Sequence, residues 1–213
     1  ARMSCFAGID AGTQSLKVVV YDATSRQLLA SVAEELPLDS RDDGSREQDP
    51  AAWVDAMRAC FARIDKGLRQ RIVALAGAGQ QHGFVALGPQ GNVLAPAKLW
   101  CDTSTASESE ALMAELGGVD ACIREAGNPI MTGYTASKLP WTRKHRPDAY
   151  ARLATILLPH DYLNFVLTGQ RYCEHGDASG TGWLDVRTRR WWRPLLRATD
   201  PRRDMAACLH ALV

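Results

Sequence analysis

The chain has 213 residues, of which 46% are hydrophobic and 23% are charged, and its formal net charge is +1. A chain of this length and composition folds as a globular protein with a core of its own. No segment approaches the roughly 20 apolar residues that span a bilayer. A net charge near zero argues against a nucleic-acid partner, which calls for a basic domain or stripe. We therefore expect neither a membrane nor a nucleic-acid role.

The six cysteines are scattered, and no pair has the Cys-x-x-Cys spacing typical of metal sites. This spacing argues against a metal-binding framework and against a secreted, disulfide-bonded scaffold. Residues 1–5 lack an apolar signal segment, so we expect a tag remnant ahead of a cytoplasmic protein.

Three β-rich runs open the chain, at 5–9, 16–22 and 28–35. Short turns separate them, which predicts an antiparallel meander. Asp49 and Pro50 then predict a helix start, with an N-cap carboxylate followed by proline at the first helical position. One face of this helix is apolar. Its residues are Trp53, Met57, Phe61, Ile64 and Leu68.

The continuous apolar run 72–79 predicts a central strand buried on both faces. A hairpin is expected around the turn 88–92, and a helical pattern over 105–126 is interrupted at Gly117-Gly118. Further elements follow. They are helices at 136–144 and 147–153, a strand at 154–158, and a helix at 161–168 that stops at Gly169.

Near the end, four arginines are interleaved with two tryptophans. They are Arg187, Arg189, Arg190, Arg193, Trp191 and Trp192. Such a pattern suits a stacking platform for single-stranded nucleic acid. We favour the alternative, a solvated surface with buried indole rings.

A meander followed by a helix and a strand is the element order of an RNase-H-like fold. We therefore predict an α/β domain in which an antiparallel β-meander opens a mixed sheet flanked by helices. Sugar kinases, actin and chaperone ATPases share this fold, and the fold alone fixes no function.

The turn after the first strand has the residue types of an anion site. Gly12 lets the backbone approach an anion, the hydroxyls of Thr13 and Ser15 add donors, and Lys17 adds a positive charge. Asp10 lies where a metal is expected, because a carboxylate beside a phosphate is favourable only with Mg²⁺ between them. The alternative is an ordinary hairpin whose polar side chains bond to their own backbone.

Seven short motifs occur in order along nearly the whole chain. They are Gly8-Ile-Asp-Ala-Gly-Thr-Gln-Ser-Leu-Lys17, Glu47-Gln-Asp-Pro50, Gly79-Gln-Gln-His-Gly83, Leu99-Trp-Cys-Asp102, Thr135-Ala-Ser-Lys-Leu139, Leu158-Pro-His-Asp-Tyr-Leu163 and Asp177-Ala-Ser-Gly-Thr-Gly-Trp-Leu-Asp-Val186. Together they resemble landmarks of the FGGY carbohydrate kinase family, in particular its xylulokinase branch. The resemblance implies that residues 1–213 are the amino-terminal, sugar-binding domain of such a kinase.

The resemblance also implies an activity, the ATP-dependent phosphorylation of a sugar hydroxyl. The expected substrate is D-xylulose and the expected product its 5-phosphate, with ATP and Mg²⁺ as cofactors. Asp10 would help place Mg²⁺, while Gly12, Thr13 and Ser15, with Lys17 nearby, would hold the transferring phosphate. Such a reaction depends mainly on positioning and charge stabilisation.

Five residues are expected at the sugar site. Gln81, His82 and Gly83 would line it at the end of a strand, where open α/β sheets bind ligands. Trp100 would supply an apolar wall and Asp102 an acceptor. Three alternatives are open, namely a loop role for His82, a core position for Trp100 and a helix cap for Asp102.

Two other acidic residues are interpreted as structural. Asp161 is expected to cap its helix. Asp177, although close to His175 in sequence, is not read as half of a catalytic pair.

Two departures concern the substrate. The xylulokinase branch usually has methionine where Gln81 stands and asparagine where Cys101 stands. Ribulose, a pentitol or gluconate is therefore an alternative substrate, and a non-catalytic sugar-binding module or a chaperone-like ATPase domain an alternative protein class.

The family's general base is an aspartate expected beyond Val213. The carboxy-terminal ATP-binding domain is likewise expected beyond this chain. We predict that the 213 residues alone have no kinase activity, and the sequence leaves a homodimer open.

Overall fold

The computed structural model describes residues 4–213, and the expected tag remnant falls mostly on residues 1–3, outside them. The strands are β1 (Cys5–Ala11), β2 (Ser15–Asp22), β3 (Gln27–Glu35), β4 (Asp39–Ser40), β5 (Arg46–Gln48), β6 (Ile72–Gly79), β7 (Val85–Leu87), β8 (Ala97–Lys98), β9 (Thr155–Leu157), β10 (Tyr172–Cys173), β11 (Leu184–Asp185), β12 (Arg190–Trp191) and β13 (Ala211–Leu212). The helices are α1 (Pro50–Arg63), α2 (Lys66–Arg69), α3 (Ala106–Glu115), α4 (Val119–Ala126), α5 (Thr135–His145), α6 (Pro147–Arg152), α7 (Pro159–Thr168), α8 (His175–Ser179) and α9 (Arg193–Thr199), with a 3-10 helix at Met205–Cys208.

The main sheet has the strand order β3-β2-β1-β6. The first three strands form the predicted antiparallel meander, and β6 joins β1 in parallel. Asp10 lies opposite Lys17 on β2 and Ala78 on β6. Because cross-strand partners project to the same face, the side chains of Asp10 and Lys17 share one face of the sheet.

The other face of this sheet packs against α1. Strict alternation in β1 and β2 buries Cys5, Ala7, Ile9, Ala11, Leu16, Val18 and Val20. Asp49 caps α1 as predicted, because its side chain accepts a hydrogen bond from the Ala51 amide at 2.9 Å. Trp53 of α1 is fully buried. The predicted apolar face continues past the end of α1, and Leu68 belongs to the separate helix α2.

The prediction that β6 is buried on both faces is wrong. Within residues 4–213 β6 is an edge strand, and Val73 and Leu75 are 62% and 44% exposed. Its small residues serve a different purpose, since a Cβ on Gly79 would lie 3.1 Å from the His160 amide nitrogen of α7. Helix α7 thus approaches the end of β6 closely.

The second half of the chain follows the predicted pattern closely. Gly88 donates to Asn92 at 2.9 Å in the expected hairpin turn, and Gly117 and Gly118, both with φ near +90°, separate α3 from α4. Gly169 ends α7 in the left-handed conformation, with φ of 71°. Asp161, however, is not the N-cap of α7. It lies in the first turn and accepts a hydrogen bond from the Leu158 amide at 3.3 Å.

The arginine- and tryptophan-rich segment matches the favoured interpretation. Its arginines are exposed, whereas Trp192 is buried in a second apolar core together with Trp183 and Leu195. No helix within residues 4–213 is long and apolar enough to cross a bilayer.

Candidate functional site

The β1–β2 turn is held in shape from within. The Gly12 amide donates to the Ser15 carbonyl oxygen at 3.0 Å, and a Cβ on Gly12 would lie 3.3 Å from that oxygen. Glycine therefore suits this position because of the close backbone approach. Gly12 has no positive φ.

Two buried glutamines attach the turn to the core. Gln48 donates to the Thr13 carbonyl oxygen at 2.6 Å and to the Pro37 carbonyl oxygen at 3.1 Å, and its Oε1 accepts from Trp53 Nε1 and Gln80 Nε2, both at 2.9 Å. The Thr13 hydroxyl donates to Gln80 Oε1 at 3.1 Å. The turn is thus preorganised by side chains from two other motifs.

Trp100 lies over the same turn. Its indole Nε1 donates to Thr13 Oγ1 at 2.9 Å, and the residue is 50% exposed, which excludes a core position. A depression of about 390 Å³ opens beside it. Its lining comprises Asp10, Gly12, Thr13, Gln14, Ser15, Lys17, Leu38 and Trp100. The predicted metal and phosphate residues therefore do come together, and Trp100 joins them.

Asp102 is fully buried rather than at the surface of this depression. Its carboxylate pairs with Lys98 Nζ at 2.8 Å and accepts from the Arg46 amide at 2.9 Å, while Lys98 also pairs with Glu47 at 3.2 Å. The alternative expectation, that Asp102 caps α3, is also wrong, because Thr105 occupies the N-cap position. From inside the protein, Asp102 thus holds in place the segment that carries Trp100.

His82 follows β6 in an unusual conformation, with φ of 60°. Its ring lies against Tyr134, with ring centroids 4.8 Å apart. A Cβ on Gly180 would lie 1.9 Å from His82 Nδ1, so the imidazole occupies the space that the glycine leaves open. Left-handed backbone in a residue other than glycine is costly and concentrates at functional sites.

Lys138 of α5 fixes this histidine by its backbone. The ammonium group is buried and donates to the carbonyl oxygens of His82 and Gly133, the latter at 2.7 Å. Burial lowers the pKa of Lys138 to about 7. Burial and the Lys138 charge lower the pKa of His82, which favours the neutral imidazole. A neutral imidazole has one donor and one acceptor nitrogen. His82 Nδ1 is buried against Gly180, so Nε2 is the ring nitrogen left for a ligand.

Gly133 also ties the two halves of the site together. A Cβ there would lie 2.3 Å from the Trp100 carbonyl oxygen, and Gly133 has φ of 92°. Lys138 thus donates hydrogen bonds both to Gly133, whose loop packs against the Trp100 carbonyl group, and to the loop of His82.

The neighbours of His82 have different surroundings. Gln81 is exposed and lines a separate depression of about 240 Å³ with His160 and Asp177. Gly83 is buried, and a Cβ there would lie 2.4 Å from Pro159 Cγ, so its position is fixed by packing. Asp177 faces His160, not His175, whose Nδ1 lies 2.8 Å from the Val213 carbonyl oxygen.

Sequence reasoning assigned no role to Gln48, Gln80 or Lys138, although each lies in one of the seven motifs. Their positions in those motifs were the only available signal, because each acts through contacts with residues distant along the chain.

A three-stranded meander continued by a parallel strand, with a polar turn at its open end, places this protein in the class formed by sugar kinases, actin and chaperone ATPases. Residues 5–212 match the family model described as "FGGY family of carbohydrate kinases, N-terminal domain". The chain belongs to the FGGY family of carbohydrate kinases.

Several relatives of the chain are named xylulose kinases. The chain is 39% identical over 215 residues to the xylulose kinase of Haemophilus influenzae and 37% identical over 206 residues to that of Escherichia coli, alignments that cover 98% and 96% of this chain. A crystal structure described as a xyloylose kinase from Brucella ovis superposes with a TM-score of 0.89 at 32% identity, covering 98% of this chain and 43% of that one. The chain spans 44% and 42% of the two curated relatives.

Proposed function

We propose that this chain is the sugar-binding part of a kinase that transfers a phosphoryl group from ATP to D-xylulose, giving D-xylulose 5-phosphate. The observation that carries the proposal is the continuity from the β1–β2 turn through Trp100 and Lys138 to His82. A phosphate loop and a histidine suited to hydroxyls are thereby held in one rigid unit.

The residues at the turn fit a phosphate with its magnesium ion. Asp10 is exposed in the same depression as Ser15 and Lys17, and carboxylate and phosphate oxygens are the ligands that Mg²⁺ prefers. When bound, Mg²⁺ neutralises charge on the phosphoryl group. Lys17 adds a positive charge beside that phosphate, and Thr13 keeps the turn in place through Gln80 and Trp100.

The sugar is proposed to lie beside His82, with Trp100 as an apolar wall. The neutral imidazole orients a hydroxyl, and its rigid backbone means that little entropy is lost on binding. Gln81 is accessible for a further contact, whereas Gly83 and Asp102 act indirectly, through the packing described above. The xylulose kinases among the relatives favour D-xylulose over ribulose, a pentitol or gluconate.

The general base and most of the ATP pocket are proposed to lie in a carboxy-terminal domain outside these 213 residues, in keeping with the greater length of the relatives. The cytoplasm is the proposed location, as suits a kinase supplied with ATP.

A thermal-shift screen tests the substrate assignment, since a ligand that binds only the native state raises the apparent stability. D-xylulose should raise the melting temperature more than ribulose, pentitols, glycerol and gluconate at equal concentration. A larger shift with gluconate or glycerol than with D-xylulose would contradict it.

A further inference from the structure

Three side chains outside the phosphate loop converge on one point. His160 and Asp161 lie in the first turn of α7 and Asp177 lies in α8, and one ligand atom from each falls within 4.8 Å of the others. His160 Nδ1 is 3.4 Å from Asp161 Oδ1 and 3.7 Å from Asp177 Oδ2. Both aspartates are almost fully buried, with 3% and 5% exposure.

The atoms that face this point have no hydrogen-bond partner within residues 4–213. They are His160 Nδ1, Asp161 Oδ1 and both carboxylate oxygens of Asp177. Leaving a buried charged acceptor unpaired is costly, so such groups are normally paired or bound to a metal. The convergent carboxylate oxygens face only His160 Nδ1 among the described residues, at 3.4 and 3.7 Å, which indicates that a more positively charged species fits among them.

The opposite sides of two of these side chains are fixed. Asp161 Oδ2 accepts from the Leu158 amide at 3.3 Å, and His160 Nε2 lies 2.9 Å from the Asn164 side-chain amide. Asn164 Nδ2 donates to His160 Nε2, which puts the ring proton on Nδ1; a metal at Nδ1 would displace that proton, with the Asn164 amide turned so that its oxygen accepts from Nε2–H. Metal-binding histidines are commonly oriented by such a second hydrogen bond.

Among the described residues, His160 is the basic side chain that faces the two carboxylates. Within the described chain no lysine or arginine lies within ion-pair distance of Asp161 or Asp177, and Glu174 adds further negative charge nearby.

The donor set selects the kind of cation. One imidazole nitrogen and two carboxylates suit the first-row divalent metals, whereas Mg²⁺ and Ca²⁺ prefer all-oxygen sites. We propose that His160, Asp161 and Asp177 bind one divalent ion of the manganese-to-zinc series. Water completes the coordination from the depression lined by Gly79 and Gln81.

This site shares no residue with the phosphate loop and lies on the other face of the sheet. Gly79 of β6 faces α7, whereas Ala78, its neighbour, is the register partner of Asp10 and projects to the opposite face. The bound ion would join α7 to α8 next to Gln81, and thus stiffen the segment that leads to His82.

The test is a titration of the metal-stripped, tag-free chain with Co²⁺, Mn²⁺ and Zn²⁺, followed by calorimetry and, for Co²⁺, visible absorption. We expect one equivalent to bind and to raise the melting temperature, with no effect of Mg²⁺ at the same concentration. Asp177→Asn, which keeps the shape of the side chain, should weaken binding at least tenfold, and the exposed Asp120→Asn of α4 should not.

Several results would overturn the proposal. These are no binding to the parent chain, equal affinity in Asp177→Asn and parent, or a strong near-ultraviolet thiolate band with Co²⁺, which would place the metal on cysteine. His160→Gln provides a second variant if Asp177→Asn does not fold. It too should lose at least tenfold in affinity, and unchanged binding by a folded His160→Gln would equally overturn the site.

Discussion

Gln48→Leu removes the side chain that ties the β1–β2 turn to the core. The amide makes four hydrogen bonds, to Thr13, Pro37, Trp53 and Gln80, and the residue is only 3% exposed. A hydrogen bond contributes about 0.5–1.5 kcal/mol net. Because leucine is similar in size, packing is largely kept. We expect the free energy of unfolding to fall by about 3 kcal/mol, towards the lower end of the range for four such bonds. The fall is not larger because water can reach the part-buried carbonyl groups.

Urea denaturation followed by tryptophan fluorescence measures this loss, and in a chain of this size it corresponds to a fall in melting temperature of roughly 6–12 °C. Amide hydrogen exchange in residues 12–15 should accelerate as well. Gln170→Leu, which changes an exposed glutamine, is the control and should stay within about 0.5 kcal/mol of the parent. If Gln48→Leu costs less than about 1 kcal/mol with exchange unchanged, the turn is not held in the way described.

Three further predictions concern sugar binding, the buried lysine and the activity of the chain. Gly180→Ala should weaken D-xylulose binding at least tenfold in calorimetry without unfolding the domain, because its methyl group would collide with the His82 ring. Gly67→Ala in α2 is the control. Unchanged affinity in Gly180→Ala would refute this position of the ring. Lys138, with its folded pKa of about 7, binds its proton less tightly than in the unfolded chain, so it makes the free energy of unfolding rise as the pH goes from about 7 towards 10.5. Lys138→Met should flatten that rise in denaturation curves while the exposed Lys144→Met keeps it, and an equal slope in both would contradict a buried charge. The 213-residue chain with D-xylulose and Mg-ATP should release no ADP in a coupled assay, and turnover typical of a kinase would place the general base within these residues.

Local patterns predicted local structure well. The alternation in β1 and β2, the Asp49 cap of α1 and the Gly117-Gly118 break each depend on residues close in sequence, and each is present. The burial of β6 was predicted wrongly because a run of alanine and glycine suits close helix packing as well as a doubly covered strand.

The site could be predicted only in part. The motifs predicted the turn and His82 as site residues, and that stays a prediction, whereas the roles of Gln48 and Lys138 arise from contacts across more than thirty positions in the sequence. Asp102 shows the converse case. Its motif suggested a sugar contact, whereas the fold buries it against Lys98.

The most direct test of the account is calorimetric titration of D-xylulose into three proteins, the parent chain, His82→Ala and His145→Ala. His145 is an exposed histidine of α5 and serves as the matched control. We predict that the parent and His145→Ala bind with the same affinity and that His82→Ala loses all measurable binding while its circular dichroism is unchanged. Equal affinity in His82→Ala and the parent would contradict the proposed sugar site.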